Sequence, residues 1–244
     1  MKSVILKKAS LLIVAIITLN SCVSINKGIQ GNGEFVTDQR STSSYDNISC
    51  TGSMNYILIK GTEGKITVEG ESNLIQYIIT EVHGNTLTVK TEDGVSLSPS
   101  NNRDIIITIP FEAVSKVSLT GSGDLISKDV IKTENLNVSI TGSGDVILDI
   151  ETVSAEGSVT GSGDLTLKGK TENLNVNVTG SGDFHGYGLD SKNTDASVTG
   201  SGDAEVISTE VFKGRVSGSG DIDYKGNPKK EDTKVSGSGG IEMQ

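Results

Sequence analysis

The sequence predicts an all-β protein folded as a parallel β-helix, with one coil for each repeat. The pentapeptide Thr-Gly-Ser-Gly-Asp recurs through the second half of the chain, and its first glycine returns every 18 to 21 residues. Between the copies, apolar and polar residues alternate, as in residues 136–140 and 174–178, which is typical of half-buried strands. A repeat this short cannot bury its own apolar face, so successive repeats must stack. A β-sandwich or an antiparallel barrel, which also uses short alternating strands, is the alternative fold.

The pentapeptide continues the alternation of the strand before it. If Val178 points inward, then Thr179, Ser181 and Asp183 point outward, and the two glycines between them face the core. Glycine at these positions leaves room for a bend or for the close approach of another backbone. Coils that stack every ~4.8 Å then align the Thr, Ser and Asp residues in three outward columns. The copies lie at residues 120–124, 141–145, 160–164, 179–183 and 199–203, with a Ser-started copy at 217–221 and a last one at 236–240 that ends in Gly.

The Asp column is the candidate ligand site. Its carboxylates repel one another unless something compensates their charge. One explanation is a ladder of cations, and oxygen ligands of this kind suit Ca²⁺. The other is that each carboxylate accepts hydrogen bonds from nearby backbone N–H groups or Ser hydroxyls, which needs no cofactor. We favour the second, because the motif lacks the longer nonapeptide of calcium-binding β-rolls. The column contains Asp124, Asp145, Asp164, Asp183, Asp203 and Asp221.

The first residues have the features of a bacterial lipoprotein signal peptide. Lys2, Lys7 and Lys8 precede an apolar run over residues 9–19, which is too short for a transmembrane helix, and small residues then lead to Cys22. We expect residues 1–21 to be removed and Cys22 to be lipidated. Two or more acyl chains on Cys22 would hold the protein stably on a membrane. The alternative is an ordinary signal peptide in which Cys22 has no special role.

After the signal peptide, the sequence divides into a tether and a single β-helix domain. Residues 22–34 are polar and rich in Gly, as in a flexible tether. The domain spans residues 35–244, with irregular first coils to about residue 117, which we expect to serve as a cap, and regular coils over 118–244. Residues 51–55 resemble a degenerate copy of the motif, and residues 94–103 have the composition of a projecting loop. The edge of the last coil is predicted to be covered by a partner chain, which would make a homo-oligomer.

The composition argues against several classes of function. The net charge is −10, and loss of residues 1–21 removes three lysines and no acidic residue, which gives about −13. A chain this acidic does not favour nucleic acid or an anionic lipid surface. The chain contains two histidines and three arginines, and no nucleophile motif, metal-spaced cluster or phosphate loop. Because catalysis needs convergent acid and base groups, we expect no enzyme. Cys50 is expected to be a buried small hydrophobic residue.

Several blocks, taken in order, resemble the bacterial family described as putative auto-transporter adhesin, head GIN domain. After the lipoprotein signal, they are residues 46–53, 71–77, 86–89, 109–111 and 117–124. The resemblance covers roughly residues 32–240. It implies a right-handed β-helix in an envelope lipoprotein, common in Bacteroidetes-like organisms, and it supplies no catalytic residues.

These observations predict a non-enzymatic, lipid-anchored envelope protein. Its repetitive Thr/Ser/Asp surface would act as a binding or adhesion module for a glycan or protein ligand, with the outer membrane as partner through Cys22. A periplasmic structural scaffold is the alternative function, and a polysaccharide-active β-helix enzyme is the least favoured one. The sequence leaves open whether the protein faces the periplasm or the cell surface. Residues 23–27 do not resemble an acidic surface-export signal.

Overall fold

The computed structural model describes residues 28–101 and 103–244. Strands account for 67% of the structure and helix for 2%, and the strands form the stacked parallel coils of a β-solenoid of about 7 turns. The predicted parallel β-helix is confirmed, and the sandwich and barrel alternatives are excluded. The signal peptide and the lipidation site at Cys22 lie outside the described residues.

The first part of the described chain contains nine strands and one short helix. They are β1 (Ile29–Gln30), β2 (Phe35–Ser41), β3 (Asn47–Gly52), β4 (Asn55–Lys60), β5 (Lys65–Glu71), α1 (Ser72–Ile75), β6 (Ile78–His83), β7 (Thr86–Thr91), β8 (Leu97–Ser98) and β9 (Ile106–Phe111).

The second part of the described chain forms the regular coils. Its strands are β10 (Lys116–Gly121), β11 (Leu125–Ser127), β12 (Ile131–Gly142), β13 (Val146–Gly161), β14 (Leu165–Gly180), β15 (Phe184–Gly200), β16 (Ala204–Ile207), β17 (Val211–Gly218), β18 (Ile222–Lys225), β19 (Lys230–Gly237) and β20 (Ile241–Met243).

Each coil contributes one segment to each of two facing sheets. The entry sheet, whose segments lead into the motif, has the order β6-β7-β3-β10-β12-β13-β14-β15-β17-β19. The exit sheet, whose segments follow the motif, has the order β2-β5-β9-β4-β11-β13-β14-β15-β16-β18-β20. The long strands β13, β14 and β15 run through both sheets. Two edges connect the sheets: the motif edge at the pentapeptides, and the opposite edge where the exit segment returns to the entry segment.

The core lies between the two sheets. Inward positions alternate with outward ones, so that Val159 and Leu167 are buried while Thr160 is exposed. A Cβ added to Gly157 of the entry sheet would meet the side chains of Leu165 and Phe184 of the exit sheet. The alternation that predicted the strands is therefore the pattern that fills this thin core.

The coils do not stack in chain order at the first end. The β3–β4 coil lies between the β7–β9 coil and the β10–β11 coil, since β3 pairs in parallel with both β7 and β10. Gly52 of the degenerate motif copy stands in register with Gly121. Residues 51–55 thus belong to the same column as the regular pentapeptides. The sequence predicted irregular first coils, but not this change of order.

Antiparallel strands cover the first end of the solenoid. Strand β6 pairs with β7 at the edge of the entry sheet, and β5 followed by β2 extends the exit sheet beyond β9. These strands pair with backbone groups that an open parallel edge would leave free. We call this end of the solenoid the cap.

Hydrogen bonds to the Glu71 carboxylate connect three segments of the cap. Its carboxylate accepts hydrogen bonds from the backbone N–H of Gly33 and from the hydroxyl and backbone N–H of Ser100. The hydrogen bonds from Ser100 are the main reason that the pKa of Glu71 lies below its usual value. Strand β8 also pairs with β1. Within the predicted projecting loop, residues 96–100 are therefore connected to the cap at several points.

Two further observations concern the free cysteine and the apolar character of the helices. Cys50 is buried and free, as predicted, and burial raises the pKa of its thiol. Among the described residues, no helix has the length and apolar character needed to cross a membrane.

Candidate binding surfaces at the two edges of the solenoid

Close contact between coils explains the glycines of the motif edge. A Cβ added to Gly142 would lie 2.2 Å from the carbonyl oxygen of Gly121, and one added to Gly144 would lie 2.0 Å from that of Gly123. Gly142 also has a φ of +131°, where L side chains are strained. The second glycine is buried and the first is half-buried. Both were predicted to face the core, but their Cβ positions point at the backbone of the preceding coil.

Backbone hydrogen bonds hold this contact in the same way from coil to coil. The carbonyl oxygen of Gly121 accepts from the N–H of Ser143 at 2.9 Å and from that of Gly144 at 3.1 Å. The carbonyl of Gly142 accepts equivalent bonds from Ser162 and Gly163. The motif therefore satisfies its own backbone groups as it turns, so the edge needs no side chain to cover it.

The six aspartates form the predicted column, and a ladder of hydrogen bonds connects them. The Oδ1 atom of each accepts the backbone N–H of the residue at the same position in the next coil. Asn55 starts the ladder by accepting the N–H of Asp124, and Asp221 ends it by accepting the N–H of Gly240. Between them, the N–O distances are 3.1, 2.9, 2.9, 2.7 and 2.8 Å, for Asp124 to Asp145, Asp145 to Asp164, Asp164 to Asp183, Asp183 to Asp203 and Asp203 to Asp221.

This ladder supplies the compensating contacts that the cofactor-free explanation requires. One oxygen of each carboxylate accepts a backbone N–H, and hydrogen bonds of this charge-assisted kind are among the stronger ones in proteins. Asn55 shows that an uncharged amide can take the same place in the ladder. The calcium ladder stays a prediction.

A groove lies along the opposite edge of the solenoid. Its volume is about 740 Å³, within the range of ligand sites in proteins. Five successive coils line it, so its length is about 19 Å at ~4.8 Å per coil. The lining residues are Lys132, Thr133, Glu134, Glu151, Thr152, Val153, Lys170, Thr171, Glu172, Asp190, Ser191, Lys192 and Thr209.

A row of hydroxyl groups forms the floor of the groove. The Thr152 hydroxyl donates to the Thr171 hydroxyl at 2.9 Å, and Thr171 donates to the carbonyl of Asn173 at 3.1 Å. In the next coil, the hydroxyls of Ser191 and Thr194 lie 2.6 Å apart. These side chains are buried, so their hydrogen bonds fix the shape of the turn.

Alternating charges form one wall. Lys132, Glu151, Lys170 and Asp190 are in register in successive coils. The Glu151 carboxylate lies 2.8 Å from the Lys132 ammonium group and 2.7 Å from that of Lys170. Hydrogen bonds from Lys132 and Lys170, in that order, lower the pKa of Glu151 to about 2.

The other wall combines charge with one apolar side chain. Lys192 and Glu172 form an ion pair at 2.7 Å. Val153 lies beside them with 48% of its surface exposed, and it is the one apolar side chain among the described residues that line the groove. The groove therefore offers hydroxyls, fixed charges of both signs and a small apolar patch.

The sequence prediction placed binding on the motif edge and missed the groove. A signal for it was present: the heptapeptide Lys-Thr-Glu-Asn-Leu-Asn-Val stands at residues 132–138 and again, two coils later, at 170–176. The repeat sets Lys132 and Lys170 on either side of Glu151. Its meaning depends on knowing which residues of neighbouring coils face one another.

The solenoid and its open groove define a protein with an extended, repetitive surface. The chain belongs to the family described as putative auto-transporter adhesin, head GIN domain, whose sequence profile matches residues 44–228. The resemblance seen in the sequence is thereby confirmed. The adhesin description of the family points to an envelope or surface protein. A search of curated proteins found no match.

Solved structures share this fold. A "putative adhesin" from Bacteroides fragilis NCTC 9343 is 24% identical, with a TM-score of 0.84 over 89% of this chain and 100% of that chain. A "putative lipid binding protein" from Parabacteroides distasonis ATCC 8503 is 24% identical, with a TM-score of 0.75 over the same shares. A "putative adhesin" from Parabacteroides merdae ATCC 43184 is 21% identical, with a TM-score of 0.70 over 89% and 99%. None of these three is named as an enzyme.

Proposed function

We propose that this protein is a lipid-anchored, non-enzymatic adhesion module of the outer membrane that binds a glycan along its groove. The observation that carries the proposal is the groove itself, which spans five coils at the edge where side chains of paired coils stand in register and line an open surface. An elongated site of this kind suits an extended chain, and repeated contacts of modest strength add up along it.

The chemistry of the groove favours a neutral, polyhydroxylated chain. The more exposed hydroxyls of Thr133 and Thr209 and the paired Lys and Glu side chains supply hydrogen-bond donors and acceptors, which sugar hydroxyls need. The lining residues carry three positive and four negative side chains, so the groove has no strong preference for a polyanion or a polycation. Val153 and the aliphatic stems of the lysines offer apolar surface to the face of a sugar ring.

A lipid chain fits the groove less well. The solved structure from Parabacteroides distasonis is described as a "putative lipid binding protein", but an acyl chain needs a continuous apolar surface. In the described part of this groove, Val153 is the one apolar side chain, and the remaining apolar surface comes from methyl groups and aliphatic stems that hydroxyl and charged groups interrupt.

The proposed anchor would present the groove away from the membrane. Cys22 precedes Gly28 by six residues, a span of at most about 20 Å. Strand β1 begins at Ile29 and pairs with β8 at the cap. Lipid on Cys22 would therefore hold the cap nearest the membrane and leave the regular coils beyond it.

Three variants in a single coil test which surface binds. Val153→Arg fills the groove, Ile147→Arg alters the outer face of the exit sheet, and Ser143→Arg alters the motif edge. All three positions are exposed, so each variant is expected to fold. On a glycan array, we expect Val153→Arg to lose at least tenfold in affinity and the other two to bind as the wild type does.

Two other outcomes would overturn the groove assignment. Loss of binding in Ser143→Arg alone would move the site to the Thr/Ser/Asp surface of the motif edge. A wild-type protein that binds no glycan would favour the scaffold function. For the anchor, Cys22→Ala should move the protein from the membrane fraction to the soluble fraction. Protease treatment of intact cells then separates a surface adhesin, which is cleaved, from a periplasmic protein, which is protected.

A further inference from the structure

One pair of neighbouring aspartates in the ladder has a histidine beside it. We call each such pair a rung. Asp164 and Asp183 are neighbours in the ladder, and His185 follows Asp183 by two residues on the outward face of β15. One carboxylate oxygen of each aspartate and one ring nitrogen of His185 all lie within 4.8 Å of one another. In the part of the chain that the structure describes, this is the one group of three such ligands that converges so closely.

A second carboxylate orients the imidazole ring. His185 Nδ1 lies 3.2 Å from Oε2 of Glu205, in the next coil. A carboxylate can only accept, so Nδ1–H donates to Glu205 and, in neutral imidazole, the lone pair is on Nε2. His185 Nε2 lies 3.9 Å from Oδ2 of Asp164. Histidines that bind metals in proteins usually donate their other ring N–H to a carboxylate or carbonyl in this way.

We propose that Asp164, Asp183 and His185 bind a first-row transition metal ion, represented by Zn²⁺, with Glu205 holding the imidazole in the ligating tautomer. Three protein ligands and a water molecule complete the tetrahedral coordination that Zn²⁺ adopts at open sites. Bonds of 2.0–2.2 Å place tetrahedral ligand atoms about 3.4 Å apart. The side chains of His185 and Asp164 are 41% and 40% exposed, so small rotations can bring them together.

The histidine distinguishes this rung from the rest of the ladder. The other described rungs supply carboxylates, and the outward residues at the position of His185 in the preceding coils are Ile126, Ile147 and Thr166. Imidazole nitrogen suits Zn²⁺, Ni²⁺ and Cu²⁺, whereas Ca²⁺ prefers six to eight oxygen ligands. The neighbouring aspartates attract cations to the site in general, and His185 selects among them.

Calorimetric titration of the untagged protein with ZnCl₂ tests the proposal. We expect one Zn²⁺ per chain in the wild type and at least a tenfold loss of affinity in His185→Gln. His83→Gln is the matched control, since His83 also lies 3.2 Å from a carboxylate, that of Glu81, but belongs to no such group of three. This control should bind as the wild type does.

A substitution in the ladder distinguishes a loss of Zn²⁺ binding from a loss of folding. Asp183→Asn keeps an Oδ1 acceptor for the N–H of Asp203, as Asn55 does for Asp124, and removes the charge that would bind the metal. We expect it to weaken Zn²⁺ binding at least tenfold with an unchanged circular dichroism spectrum, while Asp124→Asn, far along the ladder, should not. Wild-type protein without saturable one-to-one binding, undiminished binding by His185→Gln, or displacement of Zn²⁺ by a tenfold excess of Ca²⁺ would each overturn the proposal. The result is independent of glycan binding.

Discussion

The two edges of the solenoid make the same change of direction by different means. At the motif edge, the backbone of each coil touches the backbone of the next, and the register of the entry segments is unbroken from β3 to β19. The exit segments and the opposite edge absorb all the differences in coil length. Residues 125–131 pair with residues 146–150, so the earlier of these two coils contains two extra residues on its exit side. The register shifts again between Thr166 and Lys168. At the motif edge, the close approach of successive backbones leaves no room for a Cβ and so requires a fixed sequence. At the opposite edge, the paired backbones carry side chains, which leaves this edge free to vary and to bind.

The largest predicted effect tests the backbone contact. In Gly163→Ala, the new Cβ would lie 2.1 Å from the carbonyl oxygen of Gly144, which forces neighbouring coils apart. We expect a loss of about 3 kcal/mol in unfolding free energy, the upper end of the usual range for overpacked interiors. This corresponds to a fall in Tm of about 6–12 °C, measured by circular dichroism.

Gly84→Ala is the control for backbone conformation. Gly84 has a φ of +63° and nothing within 4 Å of an added Cβ, whereas the φ of Gly163 lies outside the left-handed region. We expect a loss of about 1 kcal/mol from this variant, since alanine in the left-handed region costs that much without any clash. Equal losses in the two variants would contradict the idea that coil-to-coil contact dictates the motif.

The next effect concerns the floor of the groove. Thr171→Val preserves side-chain volume but removes the acceptor of the Thr152 hydroxyl and a donor to the carbonyl of Asn173. Because Thr152 and Thr171 are buried, we expect a loss of about 1–2 kcal/mol in denaturant unfolding. Thr166→Val, at a half-buried position in the same coil, should change stability by less than about 0.5 kcal/mol. If both variants behaved alike, the hydroxyl row would have no structural role.

Much of the fold was predictable because its information is local and repeated. The period of the motif and the alternation around it predicted the coils and the outward Asp column, and the general preference of free cysteine for the interior predicted the buried Cys50. The antiparallel pairing of the cap strands and the coil order were not predictable, because they depend on pairings of distant segments, such as Gly52 with Gly121, that no short pattern encodes. The groove was not predicted from the sequence for a related reason. Its charged pairs, such as Lys132 with Glu151, form only when two coils are set in register.

A smaller effect tests the aspartate ladder. Asp145→Ala removes the acceptor for the N–H of Asp164, and we expect a loss of about 1 kcal/mol, the typical net value of one hydrogen bond. Asp145→Asn keeps an acceptor and relieves repulsion from Asp124 and Asp164, so it should be as stable as the wild type or slightly more stable. Urea unfolding of the three proteins decides the matter. If the two variants lost stability equally, the carboxylate charge, and not the hydrogen bond, would be what the ladder requires.

The smallest predicted effect is on the pH dependence of stability, and it comes from the charged wall of the groove and not from the motif edge. Lys132 and Lys170 lower the pKa of Glu151 from about 4.5 in the unfolded chain to about 2 in the folded protein. A lowered pKa in the folded state stabilises the protein above the unfolded value, and this stabilisation is lost as the pH falls from about 4.5 towards 2. Glu151→Gln should therefore show a shallower decline of Tm than the wild type over this interval. Because both lysines are exposed and Glu151 is half-exposed, 0.5 M salt should reduce the difference. A wild type and variant with parallel curves would mean that the wall of alternating charges contributes to the shape of the groove and not to the stability of the coils.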